Sequence, residues 1–431
     1  MMRRNNRGKR KTKTSNHAYY EKKIIKCLSI LVITLLAILL CVSIFYHIHN
    51  TKIHKQLLEA TSDELEQDIA DTTSTDNNEL EKEKTDTTFS MVAIGDVMCH
   101  NTQYLDAYQK ETDDYDFSYV FEDVNHYIKN ADIAIGNLET SFAGKERGYS
   151  NYPTFNSPDN LAYNLKKIGL DVLSTAGNHC LDMGFSGLSR TIDVLDNADI
   201  SHLGTYQTQE DRDKILFKYI NGIKIAFINY TYGTNGIPIP SGKEFCVNLI
   251  DKDLIKKDIE SAKAQNADII VSCMHWGIEY KTTANSDQEE LADFLFQNGV
   301  DIILGNHPHV LEPMEKRAII LEDGTVKDGF VIYSLGNFIC DQNSENTRNS
   351  IILNLKITKH TDGKISIDNI NYIPIYMYKD SSSKLRKMKL LDMEKTIADY
   401  EAGTNTSISR TTYEDLRVQL KKIKDIIGSE F

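Results

Sequence analysis

Only seven cysteines occur in 431 residues, and Cys27 and Cys41 fall inside the one long uncharged apolar run. The other five, Cys99, Cys180, Cys246, Cys273 and Cys340, are an odd number, which excludes a complete disulfide framework. They read as small buried residues. No Lys/Arg patch with interleaved aromatics occurs, so the footprint of a nucleic-acid binder is missing and no nucleic-acid partner is expected. No small-x-small site follows the apolar run, which argues against a cleaved signal peptide.

That run, residues 27–46 (CLSILVITLLAILLCVSIFY), carries no charge. A helix of that length reaches about 30 Å, the thickness of membrane hydrocarbon. Ten Lys or Arg and one Glu precede it between Arg3 and Lys26, a local charge of +9, whereas only Lys52 and Lys55 follow closely. The positive-inside rule therefore predicts a cytoplasmic tail over 1–26, a single membrane span over 27–46 and an extracellular main domain. Removing that +9 from the total of −13 leaves −22 on residues 27–431, a strongly acidic external part. Residues 47–88 are acidic, Thr-rich and almost free of aromatics, which predicts a solvated stalk of roughly 35 Å.

From Phe89 the composition changes and a pattern repeats: an apolar run, then Gly or small residues, then a polar cluster. FSMVAIGD ends at Asp96, ADIAIGNLE at Asn137 and Glu139, and LDVLSTAGNH at Asn178 and His179, with Asp182 just beyond. ADIIVSCMHWGIE leads to His275, Trp276 and Glu279, VDIILGNHPH to His307 and His309, and FVIYSLGNF to Asn337. Helical periodicity separates several of these runs, for example over 159–169, 186–197, 251–266 and 288–299. Strands alternating with helices predict an α/β architecture whose carboxyl strand ends form one crevice. Asp, Glu, Asn and His converging there suit a divalent metal such as Mn, Fe or Zn better than a thiolate site. Asp96, Glu139, Asn178, His179, His275, His307 and His309 are the residues expected to line that crevice. Glu279 is a further acid–base candidate at that end, and Asn137, Asp182, Trp276 and Asn337 are expected to contact substrate.

Taken in order over residues 89–345, these motifs resemble the CapA family of capsule, or poly-γ-glutamate, biosynthesis proteins. The resemblance implies a calcineurin-like metallophosphoesterase domain over 89–377, a β-sandwich flanked by helices. It also implies work in making, exporting or anchoring an anionic polymer, with synthase or export subunits as partners, or action on a phosphoester. Carried over from the wider superfamily, Asp96, Asn178, His275, His307 and His309 match metal ligands and His179 the proton donor. Two positions depart from that pattern: Met98 replaces a ligand histidine, and Asn137 stands where a bridging aspartate would be. Glu139 is the nearby carboxylate that can substitute, while a neutral Asn137 favours one ion over two. Whether the pocket catalyses or only grips the polymer stays open at this level.

Residues 378–431 are expected to form a helical extension. Tyr413, Leu416, Leu420, Ile423 and Ile427 make an apolar stripe that Gly428 terminates, and Thr411 with Glu414 is the expected capping box.

Overall fold

The computed structural model describes residues 85–428 except 322–323, 381–387 and 405–406. The chain divides into two units, Met1–Glu83 and Lys84–Phe431, and the description below is of the second. The expected tail, membrane span and most of the stalk lie outside the described residues. Among the described residues no helix is long and apolar enough to cross a membrane.

The first sheet is built on β1 (Thr87–Val97), which begins inside the range assigned to the stalk. Helices α1 (Asn101–Ala107) and α2 (Asn125–Lys129) lead to β2 (Ile133–Leu138), and α3 (Asn160–Lys167) leads to β3 (Val172–Ser174). Then α4 (Gly184–Asn197) leads to β4 (Ser201–Leu203). β1, β2, β3 and β4 are parallel neighbours, the arrangement that strand–helix–strand crossovers produce.

The second sheet starts with a hairpin of β5 (Leu216–Ile220) and β6 (Ile223–Thr231). It continues through α5 (Lys252–Ala264), β7 (Ile269–His275), α6 (Ser286–Asn298) and β8 (Ile302–Asn306). β9 (Met314–Ile320) and β10 (Val326–Ile332) complete the order β9-β10-β8-β7-β6-β5. Every residue of β7 and β8 is buried, as expected for parallel strands covered on both faces. α6 is sharply bounded: Asn285 and Gln288 form a reciprocal capping box, and Gly299 leaves the helix at φ 115°.

The chain then returns to the first sheet. β11 (Asn337–Ile339) pairs with β1, and β12 (Asn349–Lys359), β13 (Ile365–Lys379) and β14 (Met388–Asp392) extend it by antiparallel pairing. The region expected to be a helical extension therefore opens with a strand of this sheet before α7 (Met393–Glu401) and α8 (Arg410–Ile427).

One apolar cluster joins the facing sides of both sheets, with Met91, Ile135, Phe227, Val271, Leu304 and Leu353 among its fully buried members. A second packs α3 and α4 on the outside of the first sheet, and a third packs α5 and α6 on the outside of the second. The layers run helix, sheet, sheet, helix, a mixed α/β sandwich: the α/β alternation is what the sequence pattern predicts, and the paired sheets are what the family resemblance implies. Each fully buried Leu, Ile or Phe in these layers contributes about 1.5–3 kcal/mol of apolar transfer. α8 adds Leu416, Ile423 and Ile427 to the cluster between the sheets, so the C-terminal stripe packs on the domain.

Candidate metal centre

The parallel strands of both sheets end on the same side, and their ends carry the polar clusters. Asp96 at the end of β1 is in register with Asn137 on β2 and with Asn337 on β11. In the second sheet His275 on β7 is level with Asn306 on β8 and Thr231 on β6. Two glycines allow these ends to close together. A Cβ on Gly95 would stand 1.8 Å from Gly336 O, and one on Gly305 would stand 1.8 Å from Tyr333 O. After β8 the backbone turns sharply about Pro308, with His307 at φ 99° and His309 at φ 61°. Left-handed angles at two non-glycine residues are costly and cluster where side chains must be aimed. Both imidazoles are turned into the crevice.

Three overlapping groups of ligand atoms result, each within 4.8 Å across: Glu139, His275 and His307; Asp96, Glu139 and His309; Glu279, His307 and His309. Glu139 Oε1 stands 3.6 Å from His275 Nε2, and Oε2 stands 3.7 Å from His309 Nδ1. His309 Nδ1 is 3.2 Å from Asp96 Oδ2, and Asn178 Oδ1 is 3.0 Å from His275 Nε2. Donors bonded to a common ion at about 2.1 Å lie about 3–4.2 Å apart, so these spacings suit shared coordination.

The electrostatics agree. Asp96 and Glu139 are at most 1% exposed, and both Glu139 oxygens and His307 Nδ1 are buried without a hydrogen-bond partner. Burial, with the Asp96 charge nearby, raises the Glu139 carboxyl well above its ordinary range. Burial lowers His307 to about 3 and drives His275 well below the ordinary imidazole value. Imidazoles held neutral are already in the ligand form, and a cation would compensate carboxylates that no described Lys or Arg pairs with. The residues present fit a divalent ion.

The other predicted residues take distinct places. His179 Nδ1 is 2.8 Å from Asp182 Oδ2, which also accepts the Phe155 amide at 2.6 Å. Asp182 thus orients His179 and is spent on that role rather than facing the crevice. Asn137 donates to Asp96 Oδ1 at 2.9 Å and accepts from Ser174 Oγ, so it braces a ligand. Asn337 Oδ1 is 3.1 Å from His309 Nδ1, and its amide nitrogen donates to the His309 and Thr347 carbonyls. Trp276 is 3% exposed, and its indole N–H donates to Tyr333 O. Glu279 is exposed at the mouth, where it reaches His307 and His309. Met98 is buried, with its sulfur near Gln342. The five described cysteines are unpaired thiols, and burial pushes Cys99, Cys180 and Cys273 up to about 12.

Sequence reasoning missed the segment after β6. The Tyr232 ring lies 4.5 Å from the His307 ring, and Asn235 accepts from Asn178 Nδ2 at 3.1 Å while its own Nδ2 stands 3.4 Å from His179 Nδ1. The signal was present: KIAFINYTYGTNG is another apolar run followed at once by polar residues and glycine.

Residues 90–342 match the family of bacterial capsule synthesis protein PGA_cap. The chain is 30% identical over 275 residues to the capsule biosynthesis protein CapA of Bacillus anthracis, covering 61% of this chain and 62% of that one. It is 29% identical over 303 residues to the PGA biosynthesis protein CapA of Bacillus subtilis, covering 67% of this chain and 73% of that one. The chain thus spans under two thirds of the length of the first relative. Among solved structures, a calcineurin-like phosphoesterase from Bacillus subtilis aligns over 77% of this chain at 17% identity with a TM-score of 0.42, a likeness too distant to carry function. With its strand-end motifs inside the matched span, the chain belongs to the bacterial capsule synthesis protein family.

Proposed function

We propose that this protein is a membrane-anchored, external component of capsule or poly-γ-glutamate biosynthesis, export or anchoring, whose strand-end pocket holds divalent metal and handles the polymer there. Family membership supports the capsule role. The basic tail before residues 27–46 supports the anchor and its orientation. The helix–sheet–sheet–helix order, with ligands at the strand ends, supports a metallophosphoesterase-like domain.

The metal reading is carried by Glu139. Its two unpartnered oxygens face different histidines in overlapping ligand groups, as a bridging carboxylate must. That supports a centre able to hold two ions, although Asn137 alone argued for one. Asp96, Glu139, Asn178, His275, His307 and His309 would hold them, with Glu279 reaching in from the mouth. Bound metal would supply Lewis-acid polarisation of a phosphoryl or carbonyl oxygen.

The chain's own groups favour a second reading, metal-dependent hydrolysis of a phosphoester or of the polymer's amide. Asp182 holds the His179 Nδ1 side, which leaves Nε2 to carry a proton to a leaving group. Asn235, with Nδ2 3.4 Å from His179 Nδ1, stands beside that imidazole.

Full-length protein purified without chelator and reloaded with Mn, Fe or Zn is expected to retain stoichiometric metal. The double variant His307→Ala/His309→Ala should lose most of it. A folded wild type that stays metal-free after reloading sinks the metal reading. Turnover of a phosphodiester, phosphomonoester or γ-glutamyl amide that disappears in His179→Ala would select the hydrolase over the polymer-gripping component.

A further inference from the structure

The crevice does not stop at the ligand cluster. Tyr232, packed on the His307 ring, also walls a hollow of about 470 Å³ that runs over Trp276, Gly277 and Ile278 to the first turn of α6. Ile278 is 53% and Tyr232 49% exposed, so the hollow presents apolar surface to solvent beside the ligands. Three charged side chains also line it: Lys252, Asp287 and Glu290. None of the three has an ion-pair partner among the described residues; the Lys252 ammonium is 5.4 Å from the Phe294 ring centroid.

We propose that this hollow is the subsite for the amino end of a γ-glutamyl chain, an assignment that rests on the polymer-handling function above. An internal residue of such a chain offers one α-carboxylate, and its nitrogen is tied up in an amide. The first residue offers an ammonium and a carboxylate on the same carbon. One unpaired cation and two unpaired anions in a single hollow complement that zwitterion. An internal stretch would bring only negative charge toward Asp287 and Glu290 and be repelled. The methylenes of the chain lie against Ile278 and Tyr232, and the rest extends toward the ligand cluster. The same arrangement accounts for how an acidic domain could recognise a polyanion: it reads the one end that carries positive charge.

The test is calorimetric titration of the metal-loaded full chain in detergent with γ-glutamyl oligomers of fixed length, their amino ends free or acetylated. Trp276 is the single tryptophan of the sequence and lines the hollow, so its emission reports occupancy independently. Acetylation is expected to weaken binding about tenfold or more, the worth of one charge-assisted contact. Asp287→Asn/Glu290→Gln should impose the same loss on the free oligomer, barely affect the acetylated one and leave metal content unchanged. Lys252→Glu, a second exposed change, should weaken both oligomers. Equal binding of free and acetylated oligomers overturns the amino-end assignment and leaves polymer handling standing. Binding of neither overturns both.

Discussion

Glu312 carries a titratable group that stands outside the candidate metal centre. It is 0% exposed; Oε2 accepts from Gln288 Nε2 at 2.6 Å, and Oε1 has no partner. Burial raises its carboxyl from 4.5 to about 7. The folded state therefore binds this proton more tightly than the unfolded chain does, so its contribution to stability is full below about pH 4.5 and falls as pH rises through 7. The whole loss is about 3 kcal/mol, from about 1.4 kcal/mol per pKa unit. Glu312→Gln keeps an acceptor for Gln288 and removes the charge. Denaturant unfolding between pH 5 and 8 should show the variant gaining on wild type as pH rises. A constant difference across that window would mean that Glu312 does not titrate there.

At the scale of the element, α8 shows how a stripe becomes a packed helix. The sequence places the capping box at Thr411 and Glu414, but Thr411 is exposed inside the helix and the N-cap is Ser409, whose Oγ accepts from Thr412 N at 3.1 Å. Both residues are hydroxylic, and only the backbone angle at Ser409, φ −75° and ψ 161°, distinguishes the cap. Ser409→Ala should cost about 1 kcal/mol, whereas Thr411→Ala should stay within about 0.5 kcal/mol. Leu416 is 0% exposed within the apolar cluster that joins the sheets, and Leu416→Ala should cost about 2–5 kcal/mol. Thermal melts of the three variants check the order. Equal, small effects for all three would show that α8 is dispensable to the fold.

For the whole molecule, the charge asymmetry about residues 27–46 leads to a topology prediction. Protease added to intact cells or spheroplasts should digest the domain from residue 89 onward and spare a tag at the N-terminus. Survival of the domain with loss of the tag would reverse the orientation. The same orientation would keep five cysteines in an external compartment, where burial, rather than pairing, protects Cys99, Cys246, Cys273 and Cys340.

The sequence by itself determined the strand-end polar clusters, because a buried run followed by glycine and polar residues is a local pattern that each segment carries alone. Asp96, Glu139, Asn178, His275, His307 and His309 were legible for that reason, as was α/β alternation. Only the tertiary structure decided which of these residues face one another across the crevice and which brace a neighbour. Asn137 proved to hydrogen-bond Asp96, Asp182 to orient His179, and Glu139 to face two histidines with separate oxygens. Tyr232 and Asn235 were missed because His307 and His179 come from segments more than fifty residues away, and such contacts leave no periodic mark. Roles of this kind depend on distances of a few ångströms between segments more than a hundred residues apart in some cases. Asp182 with His179 is a local pairing three residues apart, whereas the others are set by which strands pair and how the two sheets pack over one shared apolar core, which local composition cannot encode.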